Sequence, residues 1–349
     1  MAVTIKDIAK ELGVSPAAVS KALNNRPGIG LPLKIRIEKA ARRLNYAPYL
    51  KARQTGMYER SMKYIAVIYA RAGEHLVSSI EAGIKDALKD TGYYELLYTV
   101  DTYNDLYDNQ RKEVFIDKVI HDNGVVGLIS AFLDLSDSTI ARLQKNNIPV
   151  VLLNNYSDYG QCVLIDNVES SFEATKRMLE LGRRKIGLIM PEESSEFIWQ
   201  DRLEGYKKAL KEKKVPYDPY LIVYEHTFSL KDSGLATKTL IDRVPDADAV
   251  IYGSDLQAYG GLKMLKEMGK KVPDDIAVLG FDDMPFSRIS DPPLASVRQP
   301  MKKMGEMGAK LLLEAVTKKK FPNKVITLKS EIVLRKSCQK DIPEEKWLI

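Results

Sequence analysis

Apolar positions recur at helical spacing near the start of the chain and in strand-length runs beyond it. Ile5, Ile8, Ala9 and Leu12 fall at i, i+3, i+4 and i+7, which predicts a short amphipathic helix with Thr4 as its N-cap. Lys6, Asp7, Lys10 and Glu11 lie on its other face. Gly13 suits the left-handed residue that ends such a helix, and Ser15 can cap a second one whose first turn holds Pro16, where a missing N–H costs nothing. On that second helix Val19, Ala22 and Leu23 face inward, Ala17, Ala18 and Lys21 share the opposite side, and Asn24, Asn25, Pro27 and Gly28 end it. A third stripe, Leu33, Ile37, Ala40, Ala41 and Leu44, closes a three-helix core and leaves Lys34, Arg36, Lys39, Arg42 and Arg43 at the surface. Two helices joined by one tight turn have helix-turn-helix spacing.

Past residue 62 the pattern changes. Apolar, β-rich runs at 64–69, 125–129, 150–153, 185–190, 249–252 and 277–281 alternate with helical stripes such as 80–88, 174–181, 203–210 and 256–268. Such alternation predicts βαβ units and parallel sheet. So many strands over some 280 residues favour two doubly wound sheets over one, and a closed eight-fold barrel is the alternative. The whole is expected to be α/β: an N-terminal all-α helix-turn-helix domain and a two-lobed body.

Composition sharpens this. With 45% hydrophobic and 29% charged residues among 349, the chain reads as a soluble globular protein, and no apolar run is long enough to cross a bilayer. No secretory leader is evident at the N-terminus, so a cytoplasmic location is expected. Cys162 and Cys338 lie on unrelated segments, and His75, His121 and His226 are scattered. Buried thiols are expected, with neither disulfide nor metal nor cofactor. The net charge of +6 is unevenly spread: residues 1–60 carry 12 Lys and Arg against 4 Asp and Glu, and the remainder carries 41 against 43. A basic, folded head on a near-neutral body is the footprint of a module that meets a polyanion.

The small residues on the second helix add to that reading. Alanine methyls allow a close approach to thymine methyls, and Lys21 can reach guanine O6 and N7. Ser15, Ser20 and the basic residues of the third helix are suited to phosphates. The segment VTIKDIAKELGVSPAAVSKALN, followed by LNYAP, strongly resembles the N-terminal domain of the lactose and galactose repressor family. That resemblance implies major-groove reading by the second helix, dimers on pseudo-palindromic half-sites, and a hinge that inserts a wedge into the minor groove. It places Pro16, Ala17, Ala18 and Lys21 at base-reading positions. Thr4, Ser15, Ser20, Asn24 and Tyr46 join them as DNA contacts, and the hinge contributes Ala52, Arg53, Thr55 and Met57. Lys21 stands where arginine is usual, and Gly30, Leu33 and Lys34 replace Ser, Thr and Arg. Thr55 occupies the wedge position, so either Met57 wedges through a shifted hinge or the operator is bent less.

In open parallel sheets ligands sit at the C-terminal strand ends. Here those ends read YAR, SAF, NN, MP, GSD and FDD, a polar and aromatic set suited to hydroxyls and rings. The resemblance continues through GFDDMPFSRISDPPLASVRQPMKKMGEMGAKLL and implies a ligand-binding core similar to periplasmic sugar-binding proteins. Carried over by position, it marks Asn154, Arg202, Ser254 and Asp282 as effector contacts and Phe228 as a stacking ring, with Tyr69, Arg71, Phe132 and Trp199 as further candidates. The implied division is a DNA-binding domain over 1–48, a hinge over 49–61, and a core over 62–340. Its first lobe takes in about 62–157 and 287–318, its second about 158–286 and 319–340. No phosphate loop, nucleophile elbow, zinc spacing or dinucleotide fingerprint points to an enzyme. Asp282 and Asp283 are adjacent, so their side chains diverge, one toward ligand and one toward structure. The expected protein is therefore a repressor, a homodimer or tetramer, that binds a double-stranded operator under the control of a small molecule. A sugar or sugar phosphate is the first expectation for that molecule and a nucleobase the second.

Overall fold

The computed structural model describes residues 3–24, 26, 28–44, 46, 62–69, 74–99, 116–121, 124–191, 197–225 and 229–342. The expected hinge residues Ala52, Arg53, Thr55 and Met57, and the candidates Arg71 and Phe228, lie outside them.

The head is three helices: α1 (Ile5–Leu12), α2 (Pro16–Leu23) and α3 (Leu31–Arg43). The Asp7 carboxylate accepts from both the Thr4 amide, at 2.8 Å, and the Thr4 hydroxyl, at 2.7 Å, which closes the first turn of α1. Gly13 takes φ 66 and ends that helix. Ser15 Oγ accepts from the Ala18 amide and caps α2. Ile8, Ala9, Val19, Ala22, Ile37, Ala40 and Ala41 form the buried core, with Tyr46 packed against it.

The body contains two six-stranded sheets. The first is built from β1 (Lys63–Tyr69), β2 (Tyr93–Thr99), β3 (Val125–Ala131), β4 (Val150–Leu153), β5 (Gln161–Ile165) and β11 (Val325–Leu328), in the order β2-β1-β3-β4-β5-β11. The second uses β6 (Ile186–Pro191), β7 (Ile222–Glu225), β8 (Ala249–Tyr252), β9 (Ala277–Phe281), β10 (Ala295–Arg298) and β12 (Glu331–Val333), in the order β7-β6-β8-β9-β10-β12. All pairs are parallel except β10 with β12. Each sheet thus has doubly wound order with one reversal point, at β1/β3 in the first and β6/β8 in the second. The central strands are buried throughout, as Ile65–Tyr69 and Val150–Leu153 are, because helices cover both faces.

Helix α4 (Glu74–Leu88) packs on the first sheet beside α10 (Met301–Lys318), and α5 (Asp137–Lys145) lies between β3 and β4 in sequence. Gly83 and Gly305 let the α4 and α10 backbones touch, since a Cβ on either would collide with the carbonyl of Lys302 or Ile80. The second sheet carries α6 (Asn167–Glu180), α7 (Phe197–Glu212), α8 (Leu230–Arg243) and α9 (Asp255–Glu267). Gly205 on α7 meets α6 in the same way, at the carbonyl of Val168.

Sheet membership differs from the expected lobes. β5 and β11 belong to the first sheet and β10 to the second, so the chain crosses between sheets after Ile165, after Arg298 and after Leu328 rather than near 157, 286 and 318. An apolar run has the same pattern whichever sheet it joins. What decides membership is pairing, here β5 on β4 and β11 on β5.

Candidate functional sites

On the head, Ala17 and Lys21 are exposed on the outer face of α2, with Ala18 and Ser20 half-buried beside them. Val19 and Ala22 are buried on the inner face. Ser15 and Pro16 are exposed at the start of the helix, and Thr4 is exposed at the start of α1 with its hydroxyl on Asp7. Asn24 caps the far end of α2: its Nδ2 donates to the Ser20 carbonyl at 2.9 Å. This leaves a short helix whose outward face has small side chains and one long cation, on a rigid three-helix support.

In the body the expected residues gather at the C-terminal ends of strands. Tyr69 ends β1, Phe132 follows β3 and Asn154 follows β4, on three neighbouring strands of the first sheet. Tyr69 has its ring in the core and its hydroxyl buried without a partner. Phe132 and Asn154 both hold φ 58, and Asp282, just after β9, holds φ 104. A left-handed backbone at a non-glycine residue costs about 1–3 kcal/mol and persists where surrounding structure enforces it. Here the ladder does so: each amide still bonds to the neighbouring strand, Phe132 to Leu153, Asn154 to Val163 and Asp282 to Val297.

Arg202 is the centre of the second set. It projects from α7, is buried, and donates from Nε to Asn167 Oδ1 at 3.0 Å and from Nη1 to the Gly253 carbonyl at 2.7 Å. Its guanidinium lies 3.9 Å from the Phe281 ring centroid and 4.9 Å from that of Trp199, so cation–π contact offsets part of the lost hydration. Burial brings its pKa down to about 10, with the nearby Asp282 opposing the change. The Asp282 carboxyl is pushed up to about 6 by burial, against the pull of Arg202 and of Gln299, whose Nε2 donates to it at 2.6 Å. Trp199, Arg202 and Asp282 are thus brought together.

Ser254 sits next to them but serves as the N-cap of α9, accepting from the Gln257 amide at 3.2 Å. Asp255 accepts from the Met284 amide and the hydroxyls of Ser287 and Ser296, which locks the loop after β9 beneath the site. Asp283 diverges from Asp282, as adjacency implies, and pairs with Arg298 and Arg335. Pattern reading missed Asn167 and Gln299. Asn167 opens α6 without an apolar signature, and Gln299 lies inside the quoted C-terminal motif but on the crossover after β10, where strand and helix periodicities are both silent.

Residues 4–49 match the model of "Bacterial regulatory proteins, lacI family", and residues 175–338 match that of a "Periplasmic binding protein-like domain". The chain is 30% identical over 341 residues to the HTH-type transcriptional repressor CytR of Escherichia coli strain K12, covering 97% of each. The chain belongs to the lacI family of bacterial regulatory proteins. It is therefore a DNA-binding transcriptional regulator with a ligand-binding body. Among solved structures, it is similar to a transcriptional regulator CelR–cellobiose complex, at TM-score 0.68 and 25% identity over 96% of this chain and 99% of that one. The lac repressor dimer bound to operator and an anti-inducer shares the fold, at TM-score 0.75 and 22% identity, with 97% and 99% covered. Among the described residues no helix is long and apolar enough to cross a membrane, and no cluster of three metal-ligating side chains occurs.

Proposed function

We propose that this regulator is a cytoplasmic homodimeric repressor that reads a pseudo-palindromic operator through the exposed face of α2, and that a sugar-type effector held between its two sheets sets its operator affinity. Ala17, Ala18 and Lys21 read base edges, while Ser15, Ser20 and the surface of α3 hold phosphates. Lys21 binds as a point charge, so it tolerates displaced acceptors better than a guanidinium fork would.

The single observation that carries the effector reading is the Arg202–Asp282 pair at the second sheet's strand ends, flanked by Trp199 and Phe281. One buried cation, one carboxylate and two rings suit a ligand that stacks on one face and exchanges hydroxyl hydrogen bonds along its edge. Asn154 and Phe132 face this work from the first sheet, so a ligand bound to both sheets favours one separation of the lobes. Its differential affinity for the two arrangements is then the coupling energy to DNA. No catalytic role is assigned to Asp282, whose partners are an arginine and an amide rather than a nucleophile or a water-activating base. The test is operator titration of the full chain with and without candidate effectors. A change in operator affinity that disappears in Arg202→Met supports the reading, and an unchanged response in that variant removes the site.

A further inference from the structure

Four buried amide side chains border the proposed effector cleft, and two of them have their orientation fixed by a carboxylate. Gln299 is 7% exposed and gives its Nε2 to Asp282 at 2.6 Å; Gln257 is fully buried and gives its Nε2 to Glu225 Oε1, also at 2.6 Å. A carboxylate demands a donor, so neither amide can be flipped without placing oxygen against oxygen. Each therefore holds its Oε1 elsewhere, and both oxygens are buried without a partner. Asn154 Oδ1, buried at the end of β4, is a third acceptor in the same condition, and Asn155 Nδ2 is a lone donor beside it.

The positions converge on the site. A Cβ placed on Gly253 would lie 2.9 Å from Gln257 Oε1 and 2.9 Å from the Trp199 ring edge, while the Gly253 carbonyl receives Arg202. Gln257 therefore reaches the same point from behind as Trp199 does from the front. Gln299 brings its acceptor to Asp282 from the crossover that joins the two sheets. With the Asp282 carboxylate, the set offers mainly acceptors. Positive charge nearby is already committed: Arg202 to Asn167 and Gly253, and Arg298 to Asp283 and Glu331.

A phosphate ester brings only acceptors and about two negative charges at neutral pH. Against locked amide oxygens and a carboxylate it would leave buried acceptors unsatisfied and add like-charge repulsion. A neutral ring with neighbouring hydroxyls brings donors to each. We propose that Gln257, Gln299 and Asn154 select an uncharged, donor-rich effector, a free sugar or a ribonucleoside, and discriminate against its phosphorylated form. This rests on the cleft assignment above and narrows it. Partial protonation of Asp282 near pH 6 adds a pH dependence: binding of a hydroxyl donor weakens as the carboxylate is neutralised.

The chain has two tryptophans, Trp199 and Trp347, so Trp347→Phe leaves Trp199 as the reporter of its own site. Full-length Trp347→Phe protein is titrated by fluorescence with matched pairs: glucose and ribose with their phosphate esters, cellobiose, and the common ribonucleosides with their monophosphates. The expected result is a neutral ligand that binds at least tenfold more tightly than its ester, from sugars or from nucleosides, whichever arm responds. Gln299→Met should weaken that ligand about tenfold, the loss of one hydrogen bond, and narrow its margin over the ester. A silent panel, or an ester that matches its neutral parent, overturns the proposal. An ester that binds tightly but depends on Arg202 and Asp282 overturns it while leaving the cleft assignment intact. A ligand indifferent to Arg202→Met and Asp282→Asn removes the cleft assignment itself.

Discussion

Replacing Asp282 by Asn should stabilise the free protein while abolishing its response to effector. The carboxyl sits against Phe281, Arg202 and Gln299 with its pKa raised from an ordinary 3.8 to about 6. Between those two values the folded protein still holds a proton at Asp282 that the unfolded chain has released. Ionisation therefore weakens folding as pH rises, and the loss is complete above about pH 6. A rise of roughly two pKa units corresponds to about 3 kcal/mol. Because Asp282 retains a partly open face, solvent screening reduces this to about 2 kcal/mol. Asn keeps the Gln299 hydrogen bond through its own carbonyl oxygen and has no charge to bury. The assay is urea unfolding of wild type and Asp282→Asn from pH 4 to pH 8, read as the difference between the two so that other carboxylates cancel. The variant should gain about 2 kcal/mol at pH 7 and nothing at pH 4. Equal stability at pH 7, or a variant less stable there, would refute the claim that this carboxylate is held at a cost to the fold.

Three further outcomes are expected. Ser15→Ala removes the acceptor for the Ala18 amide and should cost the head about 1 kcal/mol, seen as faster amide exchange across residues 18–23. Lys21→Ala removes the one cation on the outward face of α2; operator affinity should fall by about 1–3 kcal/mol, whereas affinity for bulk DNA should barely change. Gly305→Ala drives a methyl into the Ile80 carbonyl where α10 crosses α4, which should destabilise the first lobe by about 2 kcal/mol or more in urea unfolding and leave DNA binding by the head unaffected.

How much of this was legible in the sequence differed by region. The head was nearly complete in its pattern: caps at Thr4 and Ser15, the left-handed Gly13, and Ile8, Val19 and Ile37 as core all follow from local spacing. In the body, strands buried on both faces stood out as apolar runs, and β4, β8 and β9 have the bounds that pattern suggests. Edge strands did not, since β2 and β7 mix exposed residues such as Tyr94, Leu97 and Tyr224 among buried ones. Sheet membership was illegible at β5, β10 and β11 because pairing is non-local. Arg202 and Asp282 were reached through position relative to strand ends and through family resemblance. Gln299 and Gln257 were not, because an amide becomes informative only when a neighbouring carboxylate fixes which end is the donor.

The central claim is that a small helix face on the head reads DNA sequence under the control of the body. Selection of bound duplexes from a random library by the full-length protein tests it most directly. The account predicts enrichment of a pseudo-palindrome, lost in Lys21→Ala and shifted in affinity by a ligand whose effect requires Arg202. Recovery of duplexes with no sequence in common, with or without ligand, would contradict it.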